Sequence, residues 1–80
     1  MKLQTGQVWK QVSPAVDYGD IMRWQIVFVK GINAIAMNCA TLKQVVIYGQ
    51  GQLDSFTFDC ELTGEEPRLG NDTLKMKGFA

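Results

Sequence analysis

Asp59 and Glu61 stand two positions apart, the spacing that puts two carboxylates on one face of a strand, where such a pair can act as acid and base or hold a cation. No glycine-centred loop and no further acidic ligand surrounds them, so they read as the solvated outer face of an amphipathic strand. The chain contains no histidine, which removes Ser-His and Cys-His nucleophilic pairs, imidazole proton shuttles and most zinc sites together. Cys39 and Cys60 are too few for a tetrahedral zinc site and too far apart for a redox pair. Gly49-Gln50-Gly51 lacks the third glycine and the following helix of a dinucleotide fingerprint and reads as a flexible turn. The sequence therefore predicts no enzyme, no cofactor and no metal.

What remains is recognition chemistry. Trp9 lies opposite Val8 and Val12 in an alternating segment, so its indole either fills a second core face or stands in a surface groove. Tyr18 is the one large side chain of the turn-rich stretch Ser13 to Asp20, which is long for a hairpin loop and holds Pro14, Asp17, Gly19 and Asp20. Exposed aromatics beside a long loop are how small β domains hold peptides or stacked bases. Trp9 and Tyr18 are thus the expected partner-binding residues. Basic residues concentrate early: Lys2, Lys10, Arg23, Lys30 and Lys43 face only Asp17 and Asp20 in residues 1–43, whereas the remainder is acidic. The overall balance of eight basic and eight acidic residues weakens the case for unspecific polyanion binding.

The elements that must position these residues are mostly strands. Arg23 to Lys30, Arg-Trp-Gln-Ile-Val-Phe-Val-Lys, is the densest β-branched and aromatic run and predicts a central strand. Strict alternation would place Trp24, Ile26 and Phe28 on one face and Arg23, Gln25, Val27 and Val29 on the other. Gln7 to Val12 predicts a first strand, stopped at Ser13-Pro14. The stretch 33–42 admits two readings. It can be a short helix capped by Asn33, which would make the domain α+β, or a hairpin turning at Gly31-Ile32-Asn33 and returning through Ala34 to Cys39. The strongly strand-like Val45-Val46-Ile47-Tyr48 stops any helix near Leu42, which favours the hairpin. Leu53 to Leu62 alternates Phe56, Phe58, Cys60 and Leu62 against Ser55, Thr57, Asp59 and Glu61, the pattern of an amphipathic strand. Thr73 to Ala80 alternates Leu74 and Met76 with Lys75 and Lys77, as a closing edge strand would.

Eighty residues, 46% of them hydrophobic, suit one domain over 1–80 with a single core. No apolar run is long enough to cross a bilayer as a helix, and the N-terminus lacks the apolar segment of a signal peptide, which predicts a cytoplasmic protein with reduced thiols and no membrane partner. Strand spacing and the long early loop resemble a small antiparallel SH3-like barrel of about five strands, so the expected class is all-β. The expected function is a non-enzymatic protein-binding module, an adaptor or inhibitor, with a nucleic-acid-binding barrel as the alternative. A likeness of strand spacing does not fix the function.

Overall fold

The computed structural model describes residues 3–69. Four strands form an antiparallel meander: β1 (Val8–Gln11), β2 (Arg23–Lys30), β3 (Asn33–Asn38) and β4 (Gln44–Ile47). A helix, α1 (Gly49–Asp59), then crosses one face, and β5 (Cys60–Leu62) pairs with β1. The strand order is β4-β3-β2-β1-β5. The sheet is open, with β4 and β5 as its two edges, and no β4–β5 ladder closes it into a barrel among the described residues. The fold is mostly β with one short helix. The expected closing strand at 73–80 lies outside the described residues.

The stretch 33–42 is the hairpin rather than a helix. β2 and β3 turn at Gly31-Ile32 with Lys30 opposite Asn33, and Gly31 adopts φ +63°, which glycine supplies without a steric penalty. The chain's helix lies instead at 49–59, where a turn and then a strand were expected. Alternation misled there because Leu53, Phe56 and Cys60 also share a helical face. The helix turns Leu53 into the core and packs Phe56 against it, Cys60 is buried at the start of β5, and Phe58 is 84% exposed. Connectivity decides the outcome. Linking the two edges spans four strand steps, roughly 19 Å, which an 11-residue helix of about 16 Å nearly covers, whereas ten extended residues would run roughly 33 Å.

The face under α1 is the apolar core: Trp9, Ile26, Ala34, Ala36 and Ile47 meet Leu53 and Cys60. Ala34 and Ala36 carry only a methyl group, which lets the helix approach the sheet closely. Trp9 and Phe56 stack edge-on, with ring centroids 5.6 Å apart, an arrangement that contributes about 0.5–1.5 kcal/mol beyond area burial. Strict alternation fails in β2 because the register with β3 shifts between Ile26 and Phe28, making Val27 an extra residue. Past this bulge the faces exchange. Phe28 pairs with Ile35 on the face away from α1 and is 41% exposed, while Val29 takes the place under the helix.

Candidate functional site

The site is built around Arg23, a charge at the head of β2 that is only 8% exposed. A buried guanidinium must place its donors, and here every nitrogen is used. Nη1 and Nη2 donate to the two oxygens of Asp17, both at 2.8 Å, in the two-pronged geometry that a planar guanidinium matches best. Nη1 also donates to the Gly19 carbonyl at 2.8 Å, and Nε donates to Glu65 at 3.0 and 3.2 Å. Arg68 joins the network through Glu65 and through Asp20, the latter at 3.2 Å.

This network shapes the β1–β2 loop. Asp17 Oδ1 also accepts the Gly19 amide at 2.8 Å, closing a turn that Gly19 completes at φ +85°. A short 3-10 turn, Gly19–Met22, follows and buries Met22, whose sulfur accepts the Tyr18 amide. On the far side, Asn38 Nδ2 donates to the Ile21 carbonyl at 2.9 Å, while its Oδ1 accepts the amides of Ala40 and Thr41. The loop backbone is therefore held from both ends. Apart from Met22 its larger apolar side chains stand on the surface: Val16 is 59%, Tyr18 63% and Ile21 48% exposed.

Electrostatics follow the same geometry. The Arg23 hydrogen bonds hold the Asp17 carboxyl far below the ordinary carboxylate range, with help from the Gly19 amide. Glu65 is lowered by hydrogen bonds from Arg23 and then Arg68, and both guanidinium groups are raised in return. Burial pushes the Cys60 thiol up to about 11, with the Asp59 charge adding to it, and burial also raises Cys39. Both thiols are free, and at Cys39 burial outweighs the lowering effect of the neighbouring Arg68 and Arg23 charges.

The residues singled out from sequence are scattered. Trp9 is in the core, 2% exposed, with its indole N–H donating to Gln7 Oε1 at 3.2 Å, so of the two expected anchors it is Tyr18 that stands on the surface. Asp59 ends α1 and Glu61 lies in β5 opposite Lys10, so the single acidic strand face does not form. Among the described residues no three His, Cys, Asp or Glu side chains are grouped to hold a metal, and no helix is long and apolar enough to cross a membrane. A cleft of about 480 Å³ opens between the start of α1, the β2–β3 hairpin and Leu3. Its lining is apolar apart from Asn33 and Gln50, and Asn33 Oδ1 is already engaged by the Gly49 amide at 2.8 Å.

The role of Arg23 was missed from sequence, where it read as one of the exposed basic residues. The signal for it is a charge at the head of a strand whose middle is largely apolar, separated from Asp17-Tyr18-Gly19-Asp20 by Ile21 and Met22. Comparison with known proteins returns no matching family model, no similar curated protein and no similar solved structure.

Proposed function

We propose that this domain is a non-enzymatic protein-binding module, an adaptor or inhibitor, that engages its partner through Val16, Tyr18 and Ile21. The observation that carries this reading is the Arg23 network: a buried guanidinium fixes a loop on which Val16, Tyr18 and Ile21 remain exposed. Ordering the loop before binding removes an entropic cost that a mobile loop would meet at the interface. Tyrosine suits an anchor, with large contact area, few rotatable bonds and a polar tip. The strand order and long β1–β2 loop support a relationship to SH3-like barrels in an opened form. Nucleic acid is the less favoured partner, because Arg23 is consumed internally and Lys30 and Lys43 sit at opposite ends of β3.

The test is capture of partners from the native host by the wild-type domain and by Tyr18→Ala, read by mass spectrometry beside circular dichroism of both proteins. A partner retained by the wild type and lost by a folded Tyr18→Ala supports the loop as the binding surface. Equal capture by both proteins refutes it. Oligonucleotide titrations followed by fluorescence anisotropy run alongside, and tight binding that weakens steeply with salt would move the assignment to nucleic acid.

A further inference from the structure

The two edges of the sheet are not equally protected. β5 has three residues, including the exposed Glu61, and charge discourages edge-to-edge pairing. β4, Gln44-Val45-Val46-Ile47, has neither charge nor proline, and Val46 is 62% exposed. The Asn38 amide donates to the Lys43 carbonyl at 2.8 Å, and the pairs Ala36–Val45 and Ala34–Ile47 follow at two-residue steps. Alternation along the ladder then turns the peptide groups of Val45 and Ile47 toward β3 and those of Gln44 and Val46 outward. The next outward amide, Tyr48, is taken by Gln52 Oε1 at 2.7 Å. Among the described residues the edge therefore offers two N–H and two C=O groups with a defined end.

We propose that β4 pairs antiparallel with β4 of a second copy of this chain, about a two-fold axis through Val45. In that register Gln44 of each copy faces Val46 of the other, and the two pairs exchange four backbone hydrogen bonds. Centring the axis on Val46 would instead set Gln44 against Tyr48, whose amide is occupied, so the Val45 register is the self-complementary one. Lys43 meets Ile47 of the second copy rather than its own counterpart, which avoids opposing like charges. The chain's formal net charge of zero adds no overall repulsion between copies. The row Phe28, Ile35 and Val46, which crosses three strands on the face away from α1, then continues diagonally into the same row of the second copy. The interface uses a short edge, so the association is weak and concentration-dependent.

Sedimentation velocity of the full chain from micromolar to millimolar concentration should show the mass rising toward twice the monomer value. Over the same range, hydrogen exchange at the Gln44 and Val46 amides should slow. Val46→Pro deletes one outward donor and leaves the β3-facing groups of Val45 and Ile47 intact, so it should stay monomeric with an unchanged circular dichroism spectrum. Should Val46→Pro unfold, Val46→Lys keeps the amide and should raise the dimer dissociation constant about tenfold, as two displaced cross-strand pairs would give. A wild type that remains monomeric at millimolar concentration overturns the proposal, as does a dimer indifferent to both substitutions. Protection of the Gln44 and Val46 amides that does not vary with concentration also overturns it, because the edge would then be occupied within the chain.

Discussion

The two faces of the sheet differ in that one is buried by apolar contact and the other adds directional polar bonds. Under α1, Trp9, Ile26, Ala36 and Leu53 are buried by apolar contact, which is strong and non-directional. On the opposite face Val8 and Met37 are buried as well, in register with Gln25, but Arg23 and Gln25 are buried beside them and act through aimed hydrogen bonds. Gln25 Oε1 accepts the amides of Arg68 and Leu69 at 2.7 and 2.8 Å, and its Nε2 donates to the Leu69 carbonyl at 3.0 Å. Together with the Arg23–Glu65 contact, this fastens the segment Thr63–Leu69 beside β2. Apolar burial supplies most of the stability on one face. Directional bonds on the other set the paths of two irregular segments, which no apolar stripe could define.

The largest effect should come from Trp9→Ala. Truncating a buried aromatic costs about 3–5 kcal/mol, against a total of roughly 4–12 kcal/mol for a chain of this size. Urea titration should show a large drop in midpoint, and an unchanged midpoint would show that the helix-covered face is not the principal core. Next is Gln25→Ala on the polar face, which leaves two amides and a carbonyl without their partner, at about 1–3 kcal/mol. Its amide shift changes should concentrate at Arg68 and Leu69. Changes spread evenly over the core would erase the distinction between the faces.

Phe28→Ala should be milder, about 1 kcal/mol, because the ring is already 41% exposed beyond the bulge. A loss equal to that of Trp9→Ala would return Phe28 to the principal core. The smallest effect concerns acid. Asp17 and Glu65 are held below their ordinary values, so their stabilising contribution is complete above the unfolded carboxylate range, about pH 4, and is lost as pH falls through the lowered folded values. Solvent screening keeps the slope shallow. Thermal melts between neutral pH and strong acid should show that decline, and Arg23→Gln should flatten it. A decline already under way between neutrality and pH 5 would contradict the arrangement.

Much of the strand layout was legible. The bounds of the central strand at Arg23 and Lys30, the stop at Pro14, the Gly31 hairpin and a further strand through Val45-Val46-Ile47 all follow from local chemistry. Alternation and turn residues act over a few positions, and the sequence displays them directly. The exposed place of Tyr18 in the long loop was legible as well, from a large side chain inside a cluster of turn formers. The stretch 49–59 was not. Leu53 to Leu62 fits a period of two and a helical face, and only the need to link opposite sheet edges over the Trp9–Ile26–Ala36 surface selects the helix.

The sequence by itself determined where strands begin and turn, because those choices depend on side-chain branching, proline and glycine acting on their own backbone. Tertiary structure alone decided which face each residue occupies. One extra residue at Val27 exchanges the faces of Phe28 and Val29, and the bulge exists only in the register with β3. It likewise decided that Trp9 would be core and that Arg23 would brace a loop rather than meet solvent. The indole depends on a partner distant in the chain, Phe56, and the guanidinium combines the nearby Asp17 with the distant Glu65, whose approach is a property of the packed sheet and not of any local stretch.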